Sequence, residues 1–183
     1  MTGHHLILGE LNDRISGEPI QDTHDERYRQ KLAGLLIDGK GYLKGDIEPR
    51  RRLLVQAGRK RAIIKIDFLI SLSGRLCMII KYGPGSLVTR HRSAVAASRV
   101  LADYQVPLAV VTNGEDAEIL EGSSAKVVSR GLNAIPSKTE LLELTAGHKF
   151  IKIPAERAVM ESRILYCYEV DDGCPCDEDI CRL

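Results

Sequence analysis

Asp67 and Lys81 carry charge inside two strongly apolar runs of this chain. Asp67 interrupts Ile63, Ile64, Ile66, Phe68, Leu69 and Ile70, and Lys81 closes Leu76, Cys77, Met78, Ile79 and Ile80. A carboxylate in such a run is costly unless a cation pairs with it or it ligates a metal. The two residues therefore point either to a buried ion pair or to a metal-holding acid with a nearby amine. Glu26 is a further candidate acid. It sits in Thr23-His24-Asp25-Glu26, a capping-box pattern. It either closes the start of a helix or projects a carboxylate from that helix towards the sheet.

The cysteines form a second chemical cluster. Cys167, Cys174, Cys176 and Cys181 follow the spacing C-x6-C-x-C-x4-C. Four sulfurs in a short stretch suffice for tetrahedral zinc, although this spacing is not a strong zinc-finger pattern. Free thiols in a mobile acidic tail are the second reading. A disulfide is the third, disfavoured in a reducing compartment. Asp171, Asp172, Asp177 and Asp179 would raise local cation affinity or simply solvate the tail. Cys77 reads as a small core residue.

Charge is segregated. Lys40 to Arg92 holds 13 Lys and Arg against three acids, whereas Glu169 to Asp179 holds six acids and no base. The basic half suggests contact with a polyanion. Arg50, Arg51, Arg52, Arg59, Lys60 and Arg61 lie near a strand and its turn, where they could contact phosphates or solubilise an edge. Arg90, His91 and Arg92 open a helix. Cations there oppose the helix dipole, a conflict that a bound phosphate or solvent screening would relieve. The acidic tail could also fold back on the basic face.

The elements that position these residues can be placed in order. Leu6 to Asp13 is expected as a short helix, from Leu8, Leu11 and Ile15. A helix opens at Thr23 and runs to about Asp38, its apolar stripe made by Tyr28, Leu32, Leu35 and Leu36. Gly39 and Gly41 stop it. A strand from about Ile47 to Gln56 turns at Gly58-Arg59-Lys60-Arg61 into the Asp67 strand. Ser71 to Arg75 turns that strand into the Lys81 strand. A helix from about Arg90 to Tyr104 crosses over to a buried strand, Val106 to Thr112. Asn113-Gly114 reads as a two-residue hairpin turn into an edge strand, Glu115 to Leu120. Ser137 to Glu140 caps a helix to about Thr145, and a last helix runs from Pro154 to about Tyr168. The expected class is α/β, a mixed sheet flanked by helices. Residues 1–20 read as an N-terminal arm, 21–150 as the domain, and 151–183 as a C-terminal helix with a Cys-rich acidic tail.

The strand-turn-strand with an Asp on one arm and a Lys on the other resembles the core of PD-(D/E)XK nucleases. Glu26-Arg27-Tyr28-Arg29-Gln30, Gly41-Tyr42-Leu43-Lys44-Gly45-Asp46-Ile47, Asp67, Lys81 and Thr112-Asn113-Gly114 together resemble the N-terminal nuclease domain of type I restriction enzyme R subunits. The resemblance covers about residues 20–122. It implies a restriction-endonuclease-like αβββαβ core, magnesium held by Glu26 and Asp67, Lys81 positioning the attacking water, and DNA and restriction-modification subunits as partners. The family's second metal acid stands two residues before the Lys, where this chain has Ile79. An Ile supplies no ligand. The expectation is a stand-alone domain that binds DNA with a degenerate site. The alternatives are an active magnesium-dependent endonuclease using Glu26, Asp67 and Lys81, or a scaffold that self-associates through a sheet edge or the cysteine tail.

A chain of 183 residues with 44% hydrophobic residues can build one domain with an aliphatic core, since it has no Trp and only two Phe. No apolar run approaches the roughly 20 residues of a membrane span. The N-terminal sequence has no signal-peptide pattern. A cytoplasmic location is expected.

Overall fold

The computed structural model describes residues 7–171 and 180–183. His4, His5 and the start of the expected first helix lie outside them, as do Cys174, Cys176, Asp172, Asp177 and Asp179.

The N-terminal segment is a hairpin rather than a helix. Strand β1 (Gly9–Asn12) pairs antiparallel with β2 (Pro19–Asp22). The turn forms around Asp13, whose side chain accepts from the Ile15 amide and the Ser16 hydroxyl. Gly17, at φ +78°, donates back to the Asp13 carbonyl. These local bonds offer the backbone an alternative to helix, which the Leu8/Leu11/Ile15 spacing does not reveal.

Helix α1 (His24–Gly34) starts where expected, with the Thr23 hydroxyl accepting from the Glu26 amide at 3.1 Å. It continues as a π-helical turn, Leu35–Gly39, and ends before Gly41 at φ +73°. The main sheet then builds from β3 (Ile47–Ala57), β4 (Lys60–Leu72), β5 (Arg75–Tyr82), β6 (Leu108–Thr112), β7 (Ala117–Glu121) and β8 (Val127–Arg130), adjacent in that order. All these pairings are antiparallel except β5–β6, which are parallel and joined through helix α2 (His91–Ser98). β7 is therefore not an edge strand, because β8 covers it. Helices α3 (Lys138–Ala146) and α4 (Ala155–Tyr166) follow, then a π-helical turn, Cys167–Asp171, and a two-residue strand β9 (Cys181–Arg182). None of the helices in the described residues is long and apolar enough to cross a membrane.

Several boundaries move from expectation. The β4–β5 turn is only Ser73-Gly74, both at positive φ, as a tight hairpin of right-handed twist requires. The β6–β7 turn is longer than Asn113-Gly114. Thr112 pairs with Ala117, and the Asn113 side chain accepts from the amides of Glu115 and Asp116. Gly114 is fixed twice over, by φ +88° and by the Tyr28 ring packed against it. Helix α2 stops at Ser98, six residues short of Tyr104, because the Ser98 carbonyl is taken by the Val106 amide as the chain turns to the sheet.

Alternation along the strands fills two layers. Phe68, Ile70, Met78, Ile80, Val110 and Ile119 pack with Leu32 and Leu36 of α1 and Leu141 of α3. Ile64, Ile66, Leu69, Ile79, Val111 and Leu120 pack with the alanines of α2 and with Leu165 and Tyr166 near the end of α4. Ile66 and Phe68 are two residues apart yet face opposite layers, so the pleat changes phase at Asp67.

Helix α4 is pinned to α2 by Glu161, whose carboxylate is fully buried. It accepts from Arg92 of α2 and from Arg99, the residue just after that helix, at 2.7 and 2.8 Å, and from Arg157 at 2.7 Å. Burial alone would raise its pKa, but Arg92 and Arg99 hold it below the usual carboxylate range. Glu161→Gln leaves these guanidinium groups without their counter-charge. It is expected to lower unfolding free energy by about 3–5 kcal/mol in urea titration, the usual cost of breaking a buried pair from one side.

Candidate functional site

The site forms where the sheet forks. β4 pairs with β5 only over Phe68–Leu72. Beyond Ile80, β5 stays with β6 and leaves β4. The Tyr82 amide gives its hydrogen to the Asp67 carboxylate, at 2.7 Å. The other Asp67 oxygen accepts from Arg29 Nε at 2.6 Å.

Opposite Asp67, the β3–β4 ladder also breaks. Pro49 pairs with Phe68 and Arg51 with Ile66, leaving Arg50 and Asp67 facing each other outside the ladder. Arg50 adopts φ +53°, a left-handed conformation costing roughly 1–2 kcal/mol in a residue with a Cβ. This break in the ladder aims the Arg50 guanidinium at two buried acids. Arg50 donates to Asp13 at 2.6 Å and to Glu26 at 2.8 Å. Gln30 also donates to Glu26, at 2.9 Å. Arg29 lies 3.7 Å from the remaining Glu26 oxygen. Asp13, Glu26 and Asp67 thus share a lattice of guanidinium and amide donors. Tyr82 is stacked on Tyr28, with the Arg29 guanidinium over its ring and its hydroxyl on Asp25.

Lys81 lies on the other side of the fork and does not pair with Asp67. Its side chain is 4% exposed. It forms an ion pair with Glu169 of the turn after α4 and lies 3.4 Å from the Ser93 hydroxyl. Burial alone would raise the Glu169 pKa, but Lys81, Ser93 and Arg90 hold it below the carboxylate range. Ile79 is fully buried in the layer under α2.

Glu26 resolves between its two readings. The cap rests on the Thr23 hydroxyl, while the Glu26 carboxylate projects into the acid cluster. The expected metal-side acids Glu26 and Asp67 are thus brought together, linked through Arg29, and Lys81 is not part of that cluster. Among the described residues no three His, Cys, Asp or Glu side chains assemble into a set that could hold a metal ion. Cys167 and Cys181 are exposed free thiols, and the other two cysteines of the expected zinc set lie outside the described residues.

The basic residues divide into two groups. Arg50 and Arg92 are bound to buried acids, Arg51 pairs with Glu48, and Arg90 donates to the Pro84 carbonyl. His91 pairs with the buried Glu118, so acids from neighbouring elements offset cations at the start of α2. Arg52, Arg59 and Arg61 are exposed and have no ion-pair partner among the described residues. Register pairs Arg52 with Lys65 and Gln56 with Arg61, so Arg52, Arg61 and Lys65 share one face of the β3–β4 hairpin. Lys60, at the turn, lies 4.0 Å from Asp171.

Residues 24–136 match the family model described as type I restriction enzyme R protein N terminus. The chain belongs to that family. The match takes in α1, the fork and the α2 crossover, and it stops before α3, α4 and β9. No curated protein and no solved structure matches the chain. Within the R-protein N-terminal region, sequence reasoning placed Asp67, Lys81 and Glu26 but gave no role to Arg29, one helical turn after Glu26. It missed Asp13, whose signal is the Asn-Asp-x-x-Ser-Gly turn. It missed Glu169, whose only signal is the acidic run opposite a basic half.

Asp13 supplies a pH test. Burial alone would raise its pKa, but Arg50, the Ile15 amide and Gln30 bring it down to about 2. A depressed carboxyl contributes stability above its unfolded pKa and loses it as pH falls through the folded one. Wild type should therefore exceed Asp13→Asn by about 2 kcal/mol at neutral pH. The gap should close between about pH 4 and pH 2, as read by urea unfolding across that range.

Proposed function

We propose that this chain is a restriction-endonuclease-like domain that binds DNA through the exposed face of the β3–β4 hairpin and does not cut it by the two-acid magnesium route. The observation that carries the reading is Arg29, which links Glu26 and Asp67 where a shared cation would sit. The Arg29 guanidinium, hydrogen-bonded to Asp67 and 3.7 Å from Glu26, supplies part of the counter-charge that a divalent ion would bring. Arg50 occupies Glu26 from the other side. Ile79 gives no ligand, and Lys81 is bound to Glu169. Magnesium demands near-ideal octahedral oxygen coordination, and the side chains present do not fit it. The order α1, β3, β4, β5, α2, β6 supports reading the core as αβββαβ.

DNA as ligand draws support from the family and from Arg52, Arg59 and Arg61. Phosphate contacts of this kind are sequence-independent and salt-sensitive. Restriction-modification subunits are the partners the family suggests.

Calorimetric titration with magnesium and with manganese should give no saturable binding at millimolar metal, and plasmid DNA should stay intact. A saturable isotherm abolished by Asp67→Ala would overturn the non-cleaving reading. Replacing Arg52, Arg59 and Arg61 together by Ala should weaken duplex binding at least tenfold. It should also lower the slope of log K against log salt by about 2–3, given about 0.9 per phosphate contact. Unchanged affinity and slope would remove the hairpin from the interface.

A further inference from the structure

We propose that the segment Cys167–Asp171, together with β9, is a built-in competitor for DNA: Glu169 holds Lys81 as a nucleic-acid phosphate would, and the segment must leave before Lys81 can meet a ligand. The inference rests on the DNA-binding reading and adds its regulation.

The segment fills the fork of the sheet. Where β5 has left β4, β9 takes the vacated edge, pairing with Ala62 and Ile63. The Leu183 amide donates to the Arg61 carbonyl, and Arg182 donates to the Val170 carbonyl. Val170 is fully buried in the layer beneath α2. Glu169 and Asp171 both face cations of the basic half, Lys81 and Lys60. A carboxylate on a lysine makes the same kind of charge-assisted contact that a phosphate oxygen makes.

The anchoring is graded. Helix α4 is fixed to α2 through Glu161 and its arginines. Beyond α4, the hold on the sheet among the described residues includes Val170, the Glu169–Lys81 pair, the two-residue ladder of β9 and the Leu183–Arg61 bond. A buried ion pair gives back much of its Coulombic gain as desolvation cost. The plug can therefore exchange one anion for another at Lys81 at little net loss. The plug lies outside residues 24–136, the part matched to the family.

The test is duplex binding by fluorescence anisotropy at fixed salt for wild type, Glu169→Ala, Glu169→Gln, Lys81→Ala and the double variant Glu169→Ala/Lys81→Ala. Both Glu169 variants should bind about tenfold tighter, with a salt slope steeper by about one phosphate contact. The double variant should lose that gain, and Lys81→Ala alone should bind no more tightly than wild type. Amide hydrogen exchange in residues 167–171 and 181–183 should speed up when duplex is added to wild type. The Gln variant keeps the shape of the side chain, so a gain in both variants separates lost charge from misfolding. The inference is overturned if neither Glu169 variant gains affinity while the hairpin arginine variant still weakens binding, an outcome that leaves the DNA-binding reading intact. Absence of duplex binding by every variant overturns both.

Discussion

Where two strands part, backbone amides are freed from the ladder, and the buried Asp67 carboxylate sits at that point. Burying it requires donors, which come from the Tyr82 amide and from Arg29. That requirement orients α1, because Arg29 can reach Asp67 only if the helix lies across the fork with Leu32 and Leu36 turned into the core. It also governs β3. Arg50 leaves its ladder at positive φ to neutralise Glu26 and Asp13, which the same helix and the N-terminal hairpin carry to the fork. The strain at Arg50 and the burial of these acids are compensated within one network, so its members are coupled and their effects will not add.

Under the non-cleaving reading, this network has a different electrostatic character from a metal site of similar geometry. Acids gathered to hold a divalent ion repel one another until the ion arrives. Here Arg29 and Arg50 stand between the acids and offset part of their charge. The two sides of the fork are also insulated from each other: Asp67 turns to the layer of α1, and Lys81 to that of α2 and α4. A shared reacting atom would have to contact both, whereas each already has a partner of opposite charge.

Much of this was readable from residue types. The apolar runs around Asp67 and Lys81 marked the central strands, and Thr23 and Ser137 marked two helix starts correctly because capping is a local interaction. The family followed from motif order. The misses share a cause. β1 and β2 depend on a side-chain-built turn, β8 and β9 on pairing with strands distant in sequence, and the partners of Asp67 and Lys81 on elements far along the chain. Hydrophobic period reports which way a residue faces, not what it meets. Charge pattern came closest to revealing the fold-back of Glu169, but composition cannot choose between an acidic segment in solvent and one docked on a lysine.

β9 is short, yet it changes what the sheet shows to the outside. Without it, Ala62 and Ile63 of β4 would present bare amides and carbonyls on the edge that β5 does not reach. Such an edge is a template for another strand, from a second copy or from any extended peptide. The terminal residues therefore act as a protective selvedge, and any state in which they come away has solubility as well as affinity at stake.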